Sequence, residues 1–297
     1  MLLDRLKAYI QDRPPDLVVE ISEAGLAGAR LGARTELGFA PLKPGVLAVS
    51  PVQENLIDPD EFSRAVRTLV GVETGRKRRD VALILPDYCT RIAVLDFDSF
   101  PNDTKEQASL IRFRLKRSVP FDAESAAMGY WPQPVTGGKK VDVLVAMAPL
   151  EVVSRYEAPF RSAAMNPGLV VPSSLAAMEL APAGGLNVLA KLTGRVLTVV
   201  ARQGGALKLV RCLELPAAGL DDVAAVLAPT FVYLEDNLGG KAEMLYLCGF
   251  GSQTDEAERR FAEELAVAVQ TVRSPLGVPG EGNAGLLGYL RSIARNN

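Results

Sequence analysis

The chain has 297 residues, with 33 basic and 35 acidic side chains and a net charge of −2, which excludes a strongly basic nucleic-acid-binding protein. It contains no histidine, so Ser-His-Asp, Cys-His and His-ligated metal chemistry are excluded as well. The composition, 48% hydrophobic and 23% charged, is typical of a globular protein, and a chain of about 300 residues usually folds as two domains.

Residues 1–15 are predicted to form a short amphipathic arm. Leu3, Leu6 and Ile10 fall on one helical stripe, and Pro14-Pro15 ends the helix. Charged side chains within this stretch argue against a signal peptide. We expect the arm to pack on the protein itself or on a neighbour, and the alternative is that it lies on a membrane surface. No apolar run approaches the roughly 20 residues that span a bilayer.

The next segment, residues 16–90, has the pattern of a β-meander followed by a helix and a buried strand. Asp58 offers a helix N-cap, with Pro59 at the first helical position and Glu61 at the capping-box position. Short apolar segments separated by turn residues predict the strands. The four predicted strands cover residues 17–21, 26–31, 36–42 and 81–85.

Residues 91–172 are predicted to form a small inserted α+β subdomain. Strand signals cover residues 91–97, 126–131 and 141–148, and helices are expected over 104–117 and 150–164. The segment from Thr136 to Lys140 is typical of a hairpin tip.

Residues 173–297 repeat the order of the first segment. Three strands, a helix with Asp221 as its expected N-cap, and a buried strand follow one another. The four strands cover residues 187–192, 196–201, 206–213 and 244–248. Two β-β-β-α-β units indicate a duplicated α/β architecture with a cleft between its halves, where ligands of such proteins commonly bind.

The segment LPDYCTRIAVLDFDSFP, with LIRFRLKRSVPF after it, resembles the PilM family of type IV pilus assembly proteins and, more distantly, the cytoplasmic part of GspL from type II secretion. In that family a strand ending in Leu-Pro begins the inserted subdomain, and a helix runs into an apolar-Pro-Phe turn, here Val119-Pro120-Phe121. The later segments LYLCGFGS and GNAGLLGYL are similar to the family's adenosine-loop strand and closing helix.

The resemblance implies an actin-like, duplicated ribonuclease H-like α/β fold with an inserted small α+β subdomain. It also implies a cytoplasmic scaffold at the inner face of the cytoplasmic membrane. Such a scaffold binds the cytoplasmic tail of a PilN-like bitopic membrane protein and contacts the pilus motor ATPases.

An actin-like nucleotide site needs a carboxylate near the end of the first strand and glycines in two hairpin turns, so that backbone N–H groups approach phosphate. The family's first phosphate loop reads Asp-apolar-Gly, whereas this chain has Glu20-Ile21-Ser22. A longer acid and a side chain on the loop therefore replace the usual pair.

At the second loop, the resemblance aligns Ala190-Lys191-Leu192 with the family's Asp-apolar-Gly, so the acid is lost and Leu192 obstructs close approach. The third loop, usually a Gly-Gly pair, reads Gly249-Phe250-Gly251-Ser252. Because phosphoryl transfer depends on a metal and on positioned donors, we expect a degenerate site and a pseudo-ATPase without cofactor or metal. ATP with magnesium is the disfavoured alternative.

Three functions therefore compete. The first is a non-catalytic adaptor of a pilus or secretion platform. The second is an active ATPase or sugar kinase on the same fold, and the third is a filament-forming cytoskeletal protein. Ala190 and Leu192 at the second loop argue against both of these. The three cysteines, Cys89, Cys212 and Cys248, form no CxxC pair, which excludes a thiolate zinc site and is typical of a reducing cytosol.

Charged clusters are interpreted first as ordinary surface. A predicted helix ends in four cations, Arg112, Arg114, Lys116 and Arg117, and positive charges there interact favourably with the negative end of the helix dipole. The alternative is a surface for acidic lipids or an acidic partner. The run of residues 76–79 is predicted to be a solvated loop, and Asp96 and Asp98 are predicted to be surface residues rather than a general acid/base pair.

The partner site is predicted at the junction between the first segment and the insert. The strand that begins at Arg91 and the turn Val119-Pro120-Phe121 would flank a groove for an extended peptide, which pairs with a strand edge. Tyr88 and Phe121 are the predicted pocket walls, because aromatic residues concentrate at binding hot spots. The alternative is that both side chains belong to the core.

Overall fold

The computed structural model describes residues 14–71, 78–134 and 140–295, and the chain divides into two compact units. The first unit ends at Pro172 and the second begins at Ser173. The predicted arm before Pro14, most of the predicted hairpin tip, and Arg76 with Lys77 lie outside the described residues. In the described ranges, no helix is both long and apolar enough to cross a membrane.

The first unit contains a five-stranded sheet and a three-stranded sheet. Its elements are β1 Leu17–Ser22, β2 Gly25–Arg30, β3 Glu36–Pro41, α1 Pro59–Val70, β4 Arg79–Leu85, β5 Arg91–Phe97, α2 Thr104–Leu115, β6 Ala127–Pro132, β7 Val141–Ala148, α3 Leu150–Ser162 and β8 Met165–Pro172. The larger sheet has the order β3-β2-β1-β4-β8, and the smaller has the order β5-β7-β6. Strand β1 is antiparallel to β2 and parallel to β4.

The second unit contains a five-stranded sheet of the order β11-β10-β9-β12-β13. Its elements are α4 Ser173–Ala177, β9 Leu186–Thr193, β10 Val196–Gln203, β11 Ala206–Glu214, α5 Leu220–Leu238, β12 Met244–Cys248, α6 Thr254–Leu265, β13 Ala268–Thr271 and α7 Ala284–Ala294. Three antiparallel strands, a helix and a parallel strand follow one another as in the first unit. The predicted duplication is therefore confirmed.

The helix N-caps were predicted with unequal success. At α1, Asp58 is the N-cap, and its Oδ1 accepts a 2.9 Å hydrogen bond from the N–H of Glu61. At α5 the prediction is wrong, because Gly219 is the N-cap and Asp221 already lies within the first turn. The Asp221 carboxylate lies 2.7 Å from the guanidinium of Arg260. Its negative charge interacts favourably with the helix dipole, although it does not cap the helix.

Alternation along the central strands builds the core of each large sheet. In β1, Val19 and Ile21 point to the side of α1 and α3, and in β9, Ala190 and Leu192 point to the side of α5 and α6. The three-stranded sheet has a third core, to which α2 contributes Ile111. Residues at odd positions in β1 and at even positions in β9 therefore belong to the hydrophobic cores.

The predicted end of the insert at Pro172 is wrong. Strand β8 pairs in parallel with β4 in the five-stranded sheet, and α3 packs on the core of that sheet. The hydroxyl of Tyr156 in α3 donates a 3.0 Å hydrogen bond to Asn55 Oδ1, and its ring lies 6.2 Å from that of Phe62. Burial raises the pKa of the Tyr156 phenol well above its usual value. The insert therefore ends near Ala148.

A close helix contact in the second unit gives the first prediction. A Cβ atom on Gly288 of α7 would lie 2.1 Å from the backbone oxygen of Ala176 in α4. We expect Gly288→Ala to lower the free energy of unfolding by about 1–3 kcal/mol, because the two helices must move apart. Thermal and urea denaturation measure the loss.

The matched control is Gly129→Ala, where an added Cβ meets nothing within 4 Å. This substitution is expected to change the free energy of unfolding by less than about 0.5 kcal/mol. Equal stability of the two variants would contradict the close packing of α7 on α4.

Candidate functional site

The first hairpin joins β1 to β2 through a two-residue turn, in which Ser22 faces Gly25 across the ladder. The Ser22 hydroxyl donates a 3.0 Å hydrogen bond to the Gly25 carbonyl oxygen. Because Val19 and Ile21 point into the first core, Glu20 and Ser22 lie on the opposite face of the sheet. Both side chains are buried, and Glu20 is only 1% exposed.

The second hairpin joins β9 to β10 through a two-residue turn of the same length, in which Thr193 faces Val196. Ala190 and Leu192 point into the second core. Lys191 therefore lies on the other face of β9, where it is 3% exposed. Its Nζ donates a 2.9 Å hydrogen bond to Thr193 Oγ1.

The two registers correct the predicted alignment of the second loop by one residue. Counting back from the paired residue before each turn, Ser22 corresponds to Thr193 and Glu20 corresponds to Lys191. The sequence motif aligned Ala190 with the acid, but Ala190 is a core residue. The position of the expected second carboxylate is therefore held by a lysine, whose charge has the opposite sign.

The third predicted loop follows β12 and has a packing role. A Cβ atom on Gly249, which has φ 81°, would lie 2.0 Å from the carbonyl oxygen of Leu192, so only glycine fits. Phe250 is buried in the second core, and Gly251 and Ser252 are exposed. Close packing against β9 thus explains Gly249 without any ligand.

Lys191 and Thr193 were not predicted as the polar pair of the second hairpin. The signal that could have found them was the turn Gly194-Arg195, because a two-residue turn fixes which residue faces which across the ladder. The lysine places an ammonium group where the family motif led us to expect a carboxylate, and an ammonium group is not a ligand for magnesium. Among residues 14–71, 78–134 and 140–295, no group of three or more acidic or cysteine side chains could hold a metal ion.

The predicted partner residues lie on two different parts of the first unit. Tyr88 is half-buried on the 3-10 turn Asp87–Cys89 between β4 and β5, and Arg91 is exposed at the start of β5. Val119 and Phe121 are half-buried against the insert core, and Pro120, between them, is exposed. Their assignment as a peptide groove stays a prediction.

The turn that carries Tyr88 is well fixed. The Cys89 thiol donates to the Pro86 carbonyl oxygen over 3.1 Å, and the Thr90 hydroxyl donates to the Asp87 carbonyl oxygen over 2.8 Å. Within the described part of the chain, β5 pairs with β7 alone, so its other side is an edge of the three-stranded sheet. A rigid turn therefore leads into an open strand edge.

The cations at the end of α2 have unequal roles. Arg112 donates to the carbonyl oxygens of Ala123 and Ala126, the latter over 3.1 Å. The guanidinium of Arg114 lies 5.2 Å from the centre of the Phe97 ring. Lys116 and Arg117 are exposed. Half of the cluster therefore has a structural role.

The two aspartates of β5 and its end are surface residues, as predicted. The side chains of Asp96 and Asp98 are 54% and 90% exposed. Lys140 Nζ lies 2.7 Å from Asp96 Oδ2, and this hydrogen bond lowers the pKa of the Asp96 carboxyl. The pair has the surroundings of a surface ion-pair network.

Sequence comparison alone finds no relative, since no protein-family model and no curated protein matches the chain. The fold, by contrast, is that of the actin-like ATPases, because the two repeated sheets have the same order and solved structures with this fold match the chain. The predicted fold class is confirmed.

Three solved structures resemble the chain over nearly its whole length. A PilM-PilN type IV pilus biogenesis complex matches with a TM-score of 0.71, 20% identity and coverage of 95% of this chain and 99% of that chain. An actin-like protein of unknown function from Bacteroides thetaiotaomicron has a TM-score of 0.57, 12% identity and coverage of 91% and 94%. The cytoplasmic domain of EpsL, an inner-membrane component of the type II secretion system of Vibrio cholerae, has a TM-score of 0.53, 12% identity and coverage of 94% of both chains. The likeness to pilus and secretion proteins that the sequence suggested is thus confirmed at the level of the fold.

The unequal roles of the α2 cations can be tested by a matched pair of substitutions. Arg112→Met removes the donor to two backbone carbonyls and should lower the free energy of unfolding by about 1.5–3 kcal/mol. Arg117→Met removes an exposed cation and should change it by less than about 0.5 kcal/mol. Urea denaturation compares the two, and a larger loss in Arg117→Met would contradict the assignment.

Proposed function

We propose that the chain is a scaffold of an inner-membrane assembly platform, of the type IV pilus or type II secretion kind, and that it works at the cytoplasmic face of the membrane. The observation that carries the proposal is the match to the PilM-PilN complex, which covers 99% of that chain and 95% of this one. The partner is the cytoplasmic tail of a PilN-like bitopic membrane protein, and the pilus motor ATPases are further contacts.

The open edge of β5 supports a docking site for an extended tail. An edge strand presents unpaired backbone donors and acceptors, and pairing with them supplies affinity without requiring a particular sequence. Side-chain pockets then select the partner. Tyr88 is suited to such a pocket, because it is half-buried on a fixed turn at the start of the strand.

We also propose that the scaffold does not hydrolyse ATP. Phosphoryl transfer depends on metal ions that neutralise developing charge on the phosphates, and acidic side chains position those ions. The first hairpin retains an acid in Glu20, but the equivalent position of the second hairpin is Lys191. An ammonium group repels the metal and cannot replace the missing carboxylate.

The alternative function is an active actin-like ATPase or kinase. Glu20 is the observation that favours it, because a buried acid at the end of the first strand is what the fold needs to hold a metal-bound water. In that case one acidic hairpin would have to provide the metal-positioning chemistry that two acidic hairpins normally share.

Calorimetry with ATP and magnesium separates the scaffold from the ATPase. We expect no binding tighter than about 100 µM, equivalent to about −5.5 kcal/mol, because the second hairpin lacks its acid. Phosphate release should equal the buffer rate. Saturable micromolar binding, or phosphate release that Glu20→Gln abolishes, would show that the protein is an ATPase.

The partner site is tested by pull-down of the tail peptide of the candidate membrane partner. Tyr88→Ser should weaken binding roughly tenfold or more, because it removes an aromatic anchor beside the strand edge. Phe121→Ser tests the same groove, but it also disturbs the insert core on which Phe121 packs, so a loss of binding there has two possible causes.

Tyr233→Ser in the second unit is the matched control, because this tyrosine is also accessible, at 42% exposure. It should leave the pull-down unchanged. Thermal denaturation of all three variants separates lost folding from lost binding. Undiminished binding by a folded Tyr88→Ser protein would move the partner site elsewhere.

A further inference from the structure

A carboxylate of the chain itself lies against the second hairpin turn. The backbone N–H of Gly194 donates a 3.2 Å hydrogen bond to Glu281 Oε2. The Thr193 hydroxyl donates to the carbonyl oxygen of Glu281 over 3.4 Å, and accepts from Lys191 Nζ. Both the turn N–H and the adjacent hydroxyl therefore have partners from within the second unit.

The Gly194 turn has the chemistry of an anion receptor. Gly194 has a left-handed backbone with φ 55°, and a Cβ added there would meet nothing within 4 Å, so the space beside its Cα atom is open. Backbone N–H groups in such turns bind anions, and a carboxylate oxygen is a charge-assisted acceptor like a phosphate oxygen. In an actin-like ATPase this turn is where a phosphate is expected to approach.

The loop that carries Glu281 is fixed by the start of α7. Asn283 Oδ1 accepts a 2.7 Å hydrogen bond from the N–H of Gly280, and its Nδ2 donates to the Val278 carbonyl oxygen over 3.2 Å. A Cβ built on Gly249 would lie 3.6 Å from Glu281 Cγ. Glu281 thus lies between the second hairpin and the third loop, and the cap of α7 restricts its movement.

We propose that the Gly194 turn is an anion-binding turn whose resident ligand is the Glu281 carboxylate, and that a phosphate group reaches the turn only by displacing this carboxylate. This proposal rests on the proposed function, in which the second hairpin takes no part in ATP hydrolysis, and it adds a reason why phosphate does not bind there. It names the class of ligand that is kept out, which is phosphate and polyphosphate. Displacement is opposed both by the loss of a hydrogen bond and by repulsion between the incoming anion and Glu281.

The test uses the full chain labelled with 15N-glycine and inorganic pyrophosphate as the probe, without metal. The amide resonance of Gly194, assigned by its loss in Gly194→Ala, reports binding at the turn. In Glu281→Ala, pyrophosphate should shift this resonance saturably and bind at least about tenfold more tightly than in the wild-type protein, equivalent to about 1.4 kcal/mol at 25 °C. Glu281→Gln, which keeps an acceptor oxygen and loses the charge, should give an intermediate affinity.

Glu263→Ala is the matched control, because Glu263 is an exposed glutamate on α6 and its removal changes the net charge by the same amount. It should behave as the wild-type protein does. An equal shift of Gly194 in wild-type and Glu281→Ala protein, or no shift in either, overturns the proposal. Pull-down of the tail peptide by the Glu281→Ala protein distinguishes this proposal from the scaffold function. The scaffold function requires that this variant bind the tail peptide normally, whatever the Gly194 resonance shows.

Discussion

Burial of the two central strands on both faces is the constraint on which the site depends. All six residues of β1 are buried, and in β9 only Thr193 is less than fully buried. Side chains alternate between faces, so one face of each strand joins a hydrophobic core and the other must accommodate every polar group. The two-residue turns then fix the polar positions as Glu20 with Ser22, and Lys191 with Thr193. A shift of one residue would put the lysine into the second core.

Local patterns were sufficient to predict most elements of the fold. Strands β5, β7 and β12 have the predicted bounds, and α1 begins at its predicted cap. These successes share a physical cause, because alternation, turn residues and an N-cap act between residues close together in sequence. The same local signals reveal the duplicated order of elements, and that order together with the family resemblance was enough to identify the fold class.

The failures concern contacts between residues far apart in sequence. The sequence predicts that the insert ends at Pro172 and includes the helix over residues 150–164, yet β8 pairs with β4, and Tyr156 of that helix packs beside Phe62. Nothing local distinguishes a helix that covers the insert from one that covers the preceding sheet. The alignment of the second hairpin with the family motif is wrong for a related reason. The motif aligns residues by type, whereas the register of the strand pair decides which face of the sheet each side chain lies on. The contact between Glu281 and Gly194 could not be predicted from local patterns, because the two residues are 87 positions apart in the sequence.

The two hairpins show how one backbone supports different chemistry. Their turn lengths, registers and core faces correspond, and they differ in the side chains at two polar positions and in the left-handed backbone of Gly194, which neither residue of the first turn has. An acid at the end of β1 and a lysine at the end of β9 have opposite charges, and of the two only the carboxylate is a ligand for a metal ion. Where the charge has changed, the adjacent turn keeps its anion-binding N–H, and Glu281 satisfies it. Hairpin geometry depends on packing and register, which the two hairpins share, whereas the charge at each polar position depends on one side chain, Glu20 in the first and Lys191 in the second.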